Sequence, residues 1–354
     1  MRILYVGPLW YGCTCRQRME AMKDLGHEVV PIDTEPEDVS KKQRLFLYRI
    51  IRKVFGPLDL AGVNQQIVSL INSEEKHFDI VWIDKGVTIK AETLIKIREI
   101  CPKTILAHYN PDDPFGRKQG LEWIKFLKAL SLYDIHFVPR KVNIIEYQNM
   151  GAKEVVQLIP TRGYSPNIHR PLPVSDQMRK RFGGPVGFIG DYEQERAELI
   201  FYLAENGIPI RVWGPNWDRR CKLSHPNLKI EGKSLWGDDY AKAICAFDIN
   251  LGFLKKANRD LHTSRSIEIP ACGAFMLAER TDEHLKLFEE GKEAEFFSTK
   301  KELLEKVRYY LEHEEERKHI ARAGRERCLR SGYSYHERIK EMLTIVKDLR
   351  EGDQ

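Results

Sequence analysis

The chain has 354 residues, 42% hydrophobic and 31% charged, with a formal net charge of +5. That length suits two domains, each with its own core, and so mild a charge without a basic module excludes a nucleic-acid partner. No apolar run reaches the roughly 20 residues of a membrane span. The opening residues 1–7 lead into a strand pattern rather than a secretory leader. The seven cysteines are odd in number and scattered, which fits no disulfide framework, and Cys13 and Cys15 lack the spacing of a metal or redox pair. A cytoplasmic protein is expected.

In chain order, residues 3–7 read as an apolar strand, 16–25 as a helix closed by Gly26, and 27–32 as a second strand. Residues 41–55 are basic and apolar together. They predict a helix with its apolar side on the domain and its lysines in water, with contact to an anionic membrane surface as the alternative. Strands follow at 80–83, 104–107, 135–138 and 155–158, with a helix ending near Ile100. Short apolar strands separated by helices predict a parallel sheet covered on both faces. Pro160, Pro166, Pro171 and Pro173 then mark a linker. Beyond it the alternation restarts, with strands at 186–190, 208–213, 228–230, 247–253 and 274–277 and a helix at 193–205. An amphipathic helix from about Tyr335 to Leu349 carries Ile339, Met342, Leu343 and Val346 near one face. The expected fold is therefore α/β, two Rossmann-like doubly wound domains facing a cleft. The expected domains are 1–170, 171–334, and 335–354 as a C-terminal helix returning toward the first.

The most informative stretch is 260–275. Thr263 and Ser264 are good helix N-caps and Gly273 a natural stop, so a short helix is predicted between them. A helix N-terminus offers free N–H groups and a positive dipole end to a phosphate. Arg265 would add a guanidinium able to grip two phosphate oxygens. Glu268, one turn on, could accept from ribose hydroxyls. The plainer alternative is a glutamate that favours the helix dipole and a solvated arginine beside it.

The run Arg265-Ser266-Ile267-Glu268-Ile269-Pro270-Ala271-Cys272-Gly273-Ala274 is joined downstream by Glu279, Phe288, Gly291-Lys292-Glu293 and Ala323-Gly324-Arg325. Upstream it is joined by Phe188-Ile189-Gly190-Asp191-Tyr192-Glu193, Arg196 and Val212-Trp213-Gly214-Pro215-Asn216-Trp217. Together these resemble the C-terminal domain of glycosyltransferases related to the spore maturation protein CgeB, within the GT-B class. The resemblance covers about half the chain. It implies that Glu268 contacts the nucleotide ribose, and that His262, Thr263, Ser264 and Arg265 fall where the donor diphosphate is held. It also implies that Gly190 and Gly7 bring backbone close to the donor and that Lys233 lies near the base. One departure is Asp260, which stands where many retaining relatives carry a glutamate eight positions before Glu268.

Other candidates are Asp112 and Asp113, in a turn after the 104–107 strand, which could hold acceptor hydroxyls or act as a base. Lys85, after the 80–83 strand, could face an anion. No G-x-G-x-x-G element opens a helix, which argues against a nicotinamide dehydrogenase. The expected activity is sugar transfer from a nucleotide-diphosphate sugar to an unidentified acceptor, metal-independent, with no further cofactor and retention by analogy. The alternatives are a non-catalytic nucleotide-sugar or partner-binding protein on the same scaffold, or another two-Rossmann enzyme such as a nucleotide-sugar epimerase.

Overall fold

The computed structural model describes residues 1–73, 77–116 and 121–352. The chain divides into two compact units: Met1–Thr161 with Ala257–Arg259 and Tyr335–Gln354, and Arg162–Lys256 with Asp260–Ser334. The division falls after Thr161, between Pro160 and Pro166 of the expected linker and ahead of the expected boundary at 170. The physical reason is that Arg162 is already committed to the second unit, donating to the His262 carbonyl at 3.0 Å and lying 3.5 Å from the Asp260 carboxylate.

The first unit holds six parallel strands: β1 (Arg2–Gly7), β2 (Glu28–Asp33), β3 (Ile80–Asp84), β4 (Ile105–Tyr109), β5 (Ile135–Val138) and β6 (Val155–Gln157). Their order is β2-β1-β3-β4-β5-β6, so the direction of winding reverses between β1 and β3. The strands are near-continuous apolar runs because both faces are covered. On one face Val6, Val81 and Leu106 pack with Ile67, Leu94 and Phe126. On the other, Tyr5, Trp82 and Phe137 pack with Met19, Met22 and the C-terminal helix Tyr335–Gly352. Ile339, Met342, Leu343 and Val346 of that helix are buried there.

The basic stretch forms two helices, Glu37–Gln43 and Phe46–Phe55. The expectation that its apolar side packs on the domain is overturned. Tyr48 is the buried residue of the second helix, while Phe46, Leu47, Ile50, Val54 and Phe55 are exposed.

The second unit holds β7 (Gly184–Ile189), β8 (Ile210–Trp213), β9 (Leu228–Ile230), β10 (Phe247–Gly252), β11 (Met276–Glu279) and β12 (Glu295–Phe297). All are parallel, in the order β12-β11-β10-β7-β8-β9, with the reversal between β7 and β10. Two Rossmann-like doubly wound units in one chain constitute the GT-B fold. In open α/β sheets a ligand binds beyond the carboxyl ends of the strands where the winding reverses. Each unit therefore points to one place: the ends of β1 and β3 in the first, and the ends of β7 and β10 in the second.

Candidate functional site

In the second unit, β7 runs directly into Gly190. A Cβ there would stand 2.8 Å from the Phe188 ring and 3.3 Å from a terminal nitrogen of Arg265. Gly214 has φ 145°, and a Cβ on it would meet the Gly190 carbonyl at 1.9 Å. Only glycine lets these two loops touch. Trp217 fixes the junction by donating its indole N–H to the Gly190 carbonyl at 2.8 Å.

Arg265 reaches this junction from the start of the helix Arg265–Ala271. Its guanidinium carbon lies 5.6 Å from the Phe188 ring centroid, and Arg196, from the helix Gln194–Glu205, lies at the same distance from the same ring. Arg196 is buried and donates to the carbonyls of Leu254 and Asp191 at 3.1 and 3.0 Å. Burial, together with the positive charge of Arg265, pulls its guanidinium down to about 10. Among the described residues neither arginine forms an ion pair, and the buried Nε of Arg265 has no acceptor. Two like charges sharing one ring with no carboxylate in ion-pair contact are costly; Glu193, Asp191 and Asp260 offset the cost only from a distance, and an anion would relieve it further. The N–H groups of Ser264 and Arg265 also carry no protein acceptor among the described residues.

Ser264 takes the N-cap position expected of it, but without the expected side-chain cap. Ser264 is already helical, at φ −57° and ψ −39°, and its side chain caps nothing. The hydroxyl that accepts the Thr263 N–H, at 2.9 Å, belongs to Ser266, which also contacts His284 Nε2 at 2.7 Å. The turn before the helix is thus held from inside the helix and leaves its outer end open.

Glu268 is buried on the same helix. Its Oε2 accepts from the Tyr240 hydroxyl at 2.6 Å, and its Oε1 lies 3.7 Å from His169 Nε2. Burial, and then the Glu268 charge, push the Tyr240 phenol well above its ordinary value. Burial lowers the His169 imidazole although Glu268 opposes it. His262 is buried with Nδ1 2.6 Å from the Glu283 carboxylate, and its Nε2 has no partner. Lys233 is exposed, and its backbone carbonyl accepts from the Gly214 N–H at 2.8 Å.

The structure thus joins Gly190 to Arg265 and carries Thr263, Ser264 and Glu268 on the same turn and helix. Gly7 belongs to the first unit, where its Cβ position would lie 3.0 Å from Asp84 Cβ. The contributions of Arg196, Tyr240, His169 and Glu283 were not foreseen. Arg196 had a signal, since it follows Gly190 by six residues at the start of a helix.

In the first unit a recess at the ends of β1, β2 and β3 is lined by Pro8, Glu35, Tyr48, Arg52, Lys85 and Gly86, among others. Lys85 stands 3.2 Å from the Asp112 carboxylate, which raises its pKa. Asp113 does not fit a base. It is fully buried, and accepts from Arg259 at 2.6 and 2.9 Å, from Asn143 at 2.9 Å and from the Phe115 N–H at 3.1 Å. Its lone pairs are spent on holding Arg259 in the first unit. Asp84 is likewise committed, to a buried pair with Arg18 at 2.7 Å and to the Tyr5 hydroxyl at 2.6 Å. No group of three or more His, Cys, Asp or Glu able to hold a metal occurs among the described residues. No described helix is long and apolar enough to cross a membrane.

Comparison with known folds identifies a shared GT-B architecture. The sucrose-phosphate synthase of Thermosynechococcus elongatus superposes with a TM-score of 0.66 at 10% identity, over 99% of this chain and all of that one. Anabaena HepE in complex with UDP-glucose gives 0.61 at 12% identity, over 97% and 99% of the two chains. A Listeria monocytogenes protein assigned as a UDP-N-acetylglucosamine 2-epimerase gives 0.58 at 14% identity, over 99% and 97%. Within the chain, residues 196–344 match the glycosyl transferase-like family model, which spans the helix carrying Arg196 through the Arg265–Ala271 helix. The comparison with curated proteins gives no match. The family match and the fold together support a GT-B glycosyltransferase.

Proposed function

We propose that this protein transfers a sugar, of hexose type, from a nucleotide-diphosphate sugar to an acceptor, as a relative of the CgeB-like enzymes. The observation that carries the reading is the pair Arg196 and Arg265, unpaired with any described carboxylate and sharing the Phe188 ring, with Arg265 against Gly190 at the reversal point between β7 and β10. The diphosphate lies on these guanidinia and on the Ser264 and Arg265 N–H groups, and the ribose bonds Glu268. As the bond to the sugar breaks, negative charge grows on the leaving diphosphate, and the preorganised cations stabilise it more than the ground state. This needs no metal and no further cofactor. Retention is proposed from the resemblance alone. The acceptor side is the recess with Lys85 and Asp112. The UDP and UDP-glucose complexes of HepE support a uridine donor as the first to test.

The test is a thermal-shift screen of nucleoside diphosphates and their sugars, followed by donor-turnover assays with and without a chelator. A ligand at one hundred times its Kd raises stability by about 2.7 kcal/mol. Absence of any shift across the common nucleotides overturns the reading. Conversion of the free nucleotide sugar to its epimer, without transfer, would favour the epimerase alternative that the Listeria fold match keeps in view.

A further inference from the structure

A surface helix of a globular unit normally turns its apolar stripe inward. The helix Phe46–Phe55 does the reverse. Phe46, Ile50 and Val54 recur every four residues and so form one stripe, with Leu47 beside it; they are 76%, 45%, 57% and 68% exposed. The orientation is anchored from the opposite side. Tyr48 is buried, its hydroxyl accepting from the Leu58 N–H at 3.4 Å, and Arg52 donates to Glu122 at 2.8 Å. The outward stripe is therefore fixed by packing rather than left by fraying.

Its chemistry identifies what covers it. Between residues 44 and 55 the sequence carries Arg44, Arg49, Arg52 and Lys53 and no carboxylate. Arg52 is paired with Glu122, while Arg44, Arg49 and Lys53 have no ion-pair partner among the described residues. At 100° per residue Arg49 and Lys53 flank the Phe46 edge of the stripe. A contiguous apolar stripe edged by unpaired cations matches an interface that is apolar within and anionic at its rim. Ten residues are too few to span a bilayer, so the helix would lie in its surface. Tyr48 and Arg52 also line the recess of the first unit, which brings that recess beside the same surface. We propose that this helix docks the protein on an anionic lipid bilayer. The inference does not depend on the glycosyltransferase reading.

The test is co-sedimentation of the full chain with vesicles of phosphatidylcholine alone and of phosphatidylcholine with phosphatidylglycerol. Binding is expected to the mixed vesicles, weakening as salt rises. Ile50→Glu with Val54→Glu should abolish it. Arg49→Gln with Lys53→Gln should weaken it about twenty-fivefold, at roughly fivefold per cation. The four positions are exposed, so melting temperature and nucleotide response should stay as in the parent, which separates failure here from failure of the donor site. No binding to the mixed vesicles, or equal binding by both variants, overturns the proposal. So does a dimer in sedimentation velocity that Ile50→Glu with Val54→Glu dissociates without vesicle binding ever being seen, since the stripe would then be covered by a second copy.

Discussion

Replacing Arg265 by methionine separates a ligand-binding arginine from a structural one, because the two roles predict opposite signs for stability. In the ligand-free protein Arg265 has a buried Nε without an acceptor and shares the Phe188 ring with Arg196. A buried unsatisfied donor costs roughly 1–3 kcal/mol. Methionine fills similar space without a charge, so Arg265→Met should hold or raise stability, by about 1 kcal/mol, or roughly 2–4 °C for a unit of this size. Nucleoside diphosphate binding should fall in the same variant. Loss of one charge-assisted hydrogen bond of roughly 1.5–3 kcal/mol is about a ten- to hundredfold weaker Kd. Arg265→Lys should fall between, since it keeps the charge but not the planar fork. Thermal melts with and without UDP, and calorimetric titration, read both quantities. A variant that melts lower than the parent and binds UDP as tightly would show that Arg265 serves the fold, and the diphosphate site would have to be sought elsewhere.

Glu268→Gln should keep a partner for the Tyr240 hydroxyl while weakening donor affinity more than turnover, read as a rise in KM at near-constant kcat. Asp113→Asn should cost about 1–2 kcal/mol in urea unfolding, because it removes the buried carboxylate while Arg259 keeps Glu146; Asp112→Asn should leave stability near the parent and lower turnover if the recess is the acceptor side. Stability should also fall in mild acid. Burial pushes His136 and His284 each down to about 4, whereas the unfolded chain takes up protons near 6.5. The stabilisation is whole above that value and is lost as pH falls from about 6.5 to 4, roughly 3 kcal/mol for each ring. Urea midpoints that stay level over that range would contradict it.

Most of the fold could be read before any coordinates because its strands are apolar on both faces. Runs such as Ile80-Val81-Trp82-Ile83 allow no other burial, and eleven of the strands were placed within a few residues. The twelfth, Glu295–Phe297, has only three residues and opens on a glutamate, so its pattern carries little signal. The 41–55 stretch misled for an instructive reason. Periodicity shows that a helix has an apolar face, but it cannot show which way that face points, and the outcome was set by Tyr48 and by the distant Glu122.

The site was legible only where it is local. The Arg265–Glu268 spacing, the stop at Gly273 and the glycine after β7 lie in short continuous segments, and each could be argued from helix and turn chemistry. What brings them to one place is strand order, which pairs β7 with β8 on one side and β10 on the other and so opens the reversal point beside Gly190. Arg196 belongs to the crossover after β7, and Arg265 to the one after β10. Nothing in their spacing of 69 positions announces that they meet at one phenylalanine. The same reasoning explains the failure at Asp113. Two adjacent acids in a turn look equivalent in sequence, yet Arg259, 146 residues away, takes one of them and leaves the other beside Lys85. Sequence can nominate charged residues; which of them keep an unmet charge is decided by partners that only the fold supplies, and an unmet charge at a strand-order reversal is the ground on which the donor site is proposed.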